Sequence, residues 1–112
     1  MKNVLSPEIL KKAARKAYRL MYESGELQQI FNKGSDVGYA PAILLATRTW
    51  MIARNEKTFR GEVKTMLDLM AQIYASDWQP AASTKFTKSE LFGSFLGDYQ
   101  AALDEASSES YS

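Results

Sequence analysis

Cysteine and histidine are both absent from this 112-residue sequence, and only three prolines and six glycines interrupt it. Without cysteine there is no disulfide framework, no thiol nucleophile and no thiolate zinc site. Without histidine the commonest general base and the commonest metal ligand are missing as well. There is no Gly-x-Ser-x-Gly elbow, because Gly93-Ser94-Phe95-Leu96-Gly97 sets its serine one place too early. Phosphate loops, dinucleotide fingerprints and calcium loops are also missing. An apolar run of membrane-spanning length is lacking too: the most apolar segment, 39–53, is interrupted by Thr47, Arg48 and Thr49. The start carries no signal-peptide pattern. These absences lead to the expectation of a soluble, cytoplasmic, non-enzymatic protein that needs no cofactor and no metal.

What is present describes a globular domain. Hydrophobic residues make up 46% and charged residues 24%, a balance that supports a packed core. A chain of this length buries roughly two-thirds of its unfolded surface without covalent staples. Net charge is only +1, but its distribution is uneven. Residues 1–33 hold seven Lys or Arg against three Glu, whereas residues 86–112 hold one Lys against five Asp or Glu. Such asymmetry can pair the first and last helices, or two copies head to tail.

The pattern of apolar residues is helical throughout, with no strand alternation and no repeat. Ser6 caps a first helix, Pro7 fits its first position, Leu5 and Leu10 form a staple, and Gly25 closes it. Ile9, Leu10, Ala13, Ala14, Ala17, Leu20 and Met21 are expected on its inner side. A short second helix covers 26–32. The glycine-marked stretch 33–41 reads as a loop, with the Gly34 to Gly38 segment expected to be a simple helix connection and, as the alternative, an anion cradle. A third helix, 41–54, is apolar nearly all round and is expected at the centre. A fourth is expected over 59–75, with Lys64 and Asp68 paired on its polar side. The last, beginning at the Thr87-Lys88-Ser89-Glu90 capping box, is expected to run to about Glu105. The expected fold is therefore an all-α compact bundle of about five helices, one short, with helix three central. Residues 1–106 form the domain and 107–112 a disordered polar tail.

Two surfaces are candidates for function. Lys11, Lys12, Arg15, Lys16 and Arg19 fall together on the outer face of helix one, with Tyr18 and Tyr22 along the edge. A basic strip with aromatics can contact phosphates and stack on bases, or dock an acidic protein. A strongly basic isoelectric point usually marks a dedicated nucleic-acid domain, and here it is about 7.9. That weighs for an ordinary solvated helix face over a nucleic-acid one. As a binding face, it suits an acidic protein or the acidic last helix of another copy at least as well as nucleic acid, which is the alternative. The second surface is a small-residue strip on the last helix, Gly93, Gly97 and Ala101, which is either an exposed contact surface, such as one between two copies, or covered from within.

The remaining conspicuous residues read as structural. Met21, Met51, Met66 and Met70 and Trp50 are at core spacings, and Trp78 reads as a lid on the end of the bundle. Carboxylate neighbours such as Glu23 with Glu26, or Asp104 with Glu105, are expected to be ordinary solvated side chains. An enzyme working through Asp, Glu, Lys or Tyr is the least favoured function, and no catalytic residue can be named. The expected function is that of a small protein-binding module, regulatory, inhibitory or of assembly type, with a homodimer among its forms.

Overall fold

The computed structural model describes residues 5–33, 39–80 and 85–110. The Gly34 to Gly38 segment and residues 111 and 112 lie outside the described residues. Six helices occur among those described: α1 (Pro7–Ser24), α2 (Glu26–Asn32), α3 (Ala40–Arg54), α4 (Val63–Ala75), α5 (Lys88–Phe92) and α6 (Phe95–Ser110). No helix among them is long and apolar enough to cross a membrane.

Local chemistry explains most boundaries. The Ile9 amide donates to Ser6 Oγ at 3.3 Å, and Pro7 occupies the first turn, where a missing N–H does no harm. Gly25, at φ 86°, turns the chain from α1 into α2, and its N–H donates to the Tyr22 carbonyl. Helix α3 ends on Asn55 at φ 55°, with the Glu56 amide donating to the Met51 carbonyl at 2.9 Å. That is a Schellman closure, and asparagine tolerates its left-handed residue.

Helix α3 is the hub, as its apolar composition predicts: it packs on α1, α2, α4 and α5. Alanines make the closest approach possible. Ala14 and Ala17 of α1 and Ala42 and Ala46 of α3 are fully buried, and with so little side chain in the way the two backbones come close together. Around that seam the core is filled by Tyr18, Met21, Leu27, Leu45, Met70, Ile73, Trp78, Leu91, Phe92 and Phe95. Thr49 is buried within α3 and stays satisfied, because its hydroxyl donates to the Leu45 carbonyl at 2.7 Å. The radius of gyration, 13.6 Å, matches the ~13 Å of a compact chain this long.

Four expectations need correction. The last helix is two helices, because Gly93 sits at φ 53°, ψ −127° and breaks the chain between α5 and α6. The fourth helix starts at Val63 rather than Phe59. Phe59 instead folds back onto Trp50 (centroids 5.0 Å apart), and Gly61 lets its ring lie against the backbone, where a methyl group would collide with it. Ile9 and Leu20, expected inside, are 50% and 44% exposed. Finally, α6 continues to Ser110, so residues 107–110, expected in the tail, are helical.

Among the residues expected in the core, Met21, Met66 and Met70 are buried, and Met51 and Trp50 are half-buried at the margin. Trp78 is completely enclosed, as a lid should be. Lys88 holds the strand of chain around it. Its ammonium donates to the carbonyls of Ser76 (2.6 Å) and Trp78 (2.9 Å) and lies over the rings of Tyr74 and Trp78. Burial lowers the Lys88 pKa, with the Asp77 charge opposing the shift.

Candidate functional site

The inner face of α1 is fixed by packing and leaves the outer face to charge. Leu10, Ala13, Ala14, Ala17, Tyr18 and Met21 are buried. On the opposite side Lys12, Arg15, Lys16 and Arg19 are all exposed, and none has a carboxylate within ion-pair distance among the described residues. Lys11, the fifth predicted member, is half-buried and pairs with Asp77 at 2.8 Å. The hydrogen bond from Lys11, reinforced by its charge, holds the Asp77 carboxyl below its ordinary value. Lys11 thus ties α1 to the segment after α4, and the Arg15 charge adds to the same effect on Asp77, while the four neighbours of Lys11 form no ion pair among the described residues.

The aromatic edge of the strip does not exist as expected. Tyr18 is 1% exposed, and its hydroxyl donates to the Phe86 carbonyl at 3.3 Å. Tyr22 is half-buried, stacked on Tyr18 and set edge-on to Phe86. Both rings belong to the layer that seats the α5 entry, so neither is free to stack on a base. What flanks the cations instead is apolar. Ile9 and Leu20 are eleven residues apart, three helical turns, and so share one edge of the strip. Glu8, Ile9, Lys11, Lys12 and Arg15 line a shallow, open depression of about 320 Å³ at its N-terminal end.

The second predicted surface is only partly formed. Gly93 belongs to the break before α6, so it does not continue the row of Gly97 and Ala101. These two are on α6 and are exposed, and a methyl group added at Gly97 would meet nothing within 4 Å. Tyr39 approaches the N-terminal end of α6, its hydroxyl donating to the Asp98 carbonyl at 3.3 Å, while the surface over Gly97 stays open. It is acidic: Asp98, Asp104 and Glu105 are exposed, and none has a cation within ion-pair distance among the described residues. Asp98 accepts from Ser94 Oγ, just before the helix, and Asp104 from Gln100 Nε2 within it.

The other polar clusters join elements of the fold. Arg48 reaches Glu26 at 2.7 Å and links α3 to α2. The Tyr99 hydroxyl donates to Asp68 at 2.7 Å, and Lys64 reaches the other oxygen of the same carboxylate at 3.0 Å. The bond to Asp68, then burial and the Asp68 charge, raise the Tyr99 pKa. Among the described residues there is no group of three or more Asp or Glu placed to hold a metal ion. Two sets of open charged side chains thus each share a surface, the four cations of α1 with Ile9 and Leu20 and the three carboxylates of α6. Comparison with family models, with curated proteins and with solved structures finds no match to this chain.

Proposed function

We propose that this chain is a non-enzymatic protein-binding module that offers the outer face of α1 to an acidic partner. The observation that carries the reading is the set of four exposed cations, Lys12, Arg15, Lys16 and Arg19, none of which forms an ion pair among the described residues, although Arg15 lies near enough to Asp77 to help lower the pKa of its carboxyl. A solvated helix face is commonly laced with charges of both signs at i, i+4 spacing, as Lys64 and Asp68 are on α4. The α1 strip is single-signed from Lys12 to Arg19, with the exposed Glu8 and Glu23 one turn beyond either end. It is also edged by Ile9 and Leu20, which bring apolar area that a contact can remove from water.

The same two features weigh for protein over nucleic acid. Phosphate binding uses cations, but single-strand binding adds exposed aromatic platforms, and Tyr18 and Tyr22 point into the fold. The test is a titration of the protein with single- and double-stranded DNA and RNA at about 50 and 200 mM salt, beside a variant carrying Lys12→Glu, Arg15→Glu, Lys16→Glu and Arg19→Glu. The reading expects no appreciable nucleic-acid affinity from either protein. Binding that falls steeply with salt and disappears in the variant would replace this reading with the nucleic-acid one.

A further inference from the structure

The strip on α1 has a counterpart on the same chain. Helix α6 carries Asp98, Asp104 and Glu105 on its exposed side and no lysine or arginine at all. The two helices do not neutralise each other within one molecule: α1 packs chiefly on α3 and α6 on α4, and no ion pair joins α1 to α6 among the described residues. Among the described residues, then, each copy displays one basic strip and one acidic strip with no ion pair of its own.

The strips match in length and in build. Lys12 and Arg19 are seven residues apart, as are Asp98 and Glu105, so the outermost charges of each are about 10 Å apart along their helix axes. Each strip has apolar side chains at its margin, Ile9 and Leu20 on α1 and Leu96 on α6, all near half exposure. The acidic side also has room for the long basic side chains. Gly97 and Ala101 leave the α6 backbone open, and the space over Gly97 is empty.

We infer that the acidic partner of the α1 strip is the outer face of α6 on a second copy of the chain, in a head-to-tail contact. This rests on the reading of α1 as a protein-binding face and names its occupant. Because the two surfaces differ, the contact is heterologous and propagates into a chain of copies unless the rotation closes a ring. One helix face against another is a small interface, so association is weak, with a dissociation constant on the order of 100 µM at low salt. The pairs are exposed and therefore screened, so affinity falls several-fold between about 25 and 250 mM salt.

Sedimentation equilibrium on the full chain at about 25 mM salt, up to about 1 mM protein, tests the pairing with two charge-reversed forms. One carries Lys12→Glu, Arg15→Glu, Lys16→Glu and Arg19→Glu, the other Asp98→Lys, Asp104→Lys and Glu105→Lys. All seven sites are exposed, and circular dichroism verifies that both forms fold. The wild type is expected to gain mass with concentration. Each reversed form alone is expected to be at least tenfold weaker in self-association, and a mixture of the two to associate again. A wild type that stays monomeric overturns the pairing, as does self-association that survives either reversal, or a mixture that remains monomeric. A monomeric wild type whose α1 strip still cross-links to another acidic protein overturns only the choice of occupant. If the strip cross-links to no protein, the binding reading of α1 falls with it.

Discussion

Helices α1 and α6 are nearly equal in length, at 18 and 16 residues, yet they are held in different ways. Helix α1 buries a residue on each turn from Leu10 to Met21 and is closed by a side-chain cap at one end and a left-handed glycine at the other. Helix α6 buries Phe95 at its first position and Ala106 near its end, with Tyr99, Ala102 and Leu103 half-covered between them. It follows a glycine break and packs chiefly on one neighbour, α4. The contrast separates two jobs that a surface helix can do. The inner face of α1 organises the bundle while its outer face remains open. Helix α6 is a flange, attached along a narrow seam, with most of its circumference in solvent.

The largest expected difference between them is in the energy of truncating the seam. Met21→Ala, at a fully buried site, should cost about 3 kcal/mol, whereas Leu103→Ala on α6 should cost about 1 kcal/mol. Urea unfolding of the two variants measures both, and equal losses would erase the distinction. Next come the two glycines, which the sequence placed on one strip. Gly93→Ala should destabilise by about 2 kcal/mol because its backbone angles are costly for a residue with a Cβ. Gly97→Ala should stabilise by about 0.5–1 kcal/mol, since the site is helical, exposed and empty. Opposite signs in thermal unfolding are the signature of a broken helix, and the same sign would restore a continuous one.

A smaller effect is expected where α6 is tied to α4 by a hydrogen bond. Tyr99→Phe should cost about 1 kcal/mol, less than a buried charged bond because the site is partly exposed. Its pH dependence has a definite sign. A tyrosine whose folded pKa is raised contributes stability below its ordinary value, about 10, and loses it as the pH rises through the higher folded value. Stability should therefore fall more steeply above pH 10 in the wild type than in Tyr99→Phe. Smallest of all is the outer face of α1, where Lys16→Glu alone should shift stability by no more than about 0.5 kcal/mol.

Much of this architecture is readable from single residues whose chemistry is local. Ser6, Pro7, Gly25 and the Thr87/Glu90 box mark helix ends because their partners lie within three residues. Both capping-box bonds are present, from the Thr87 amide to Glu90 at 2.8 Å and from the Glu90 amide to Thr87 at 3.0 Å. The break at Gly93 was hidden because Leu91, Phe92, Phe95 and Tyr99 keep helical spacing across it. Periodicity registers the order of apolar residues and is indifferent to a change of axis between them. Phe59 misled in the same way, as its spacing to Val63 is helical while its ring is claimed by Trp50. For the site, the charge on α1 is visible in the sequence, but its division is not. Lys11 is set apart because Asp77, sixty-six residues away, comes within 2.8 Å of it. Tyr18 and Tyr22 turn inward because Trp78 and Phe86 pack beside them, which no local pattern predicts.

The most direct test of the two-faced α1 places a photo-activatable cross-linker at position 16 in the cell, in the wild-type background and with Lys12→Glu and Arg19→Glu. The account predicts a discrete, nuclease-resistant protein adduct whose cross-linked segment is rich in Asp and Glu, and its loss when the two neighbouring charges are reversed in a protein of unchanged stability. An adduct that survives the reversal, or no protein adduct at all, would contradict the claim that this face binds through its charge.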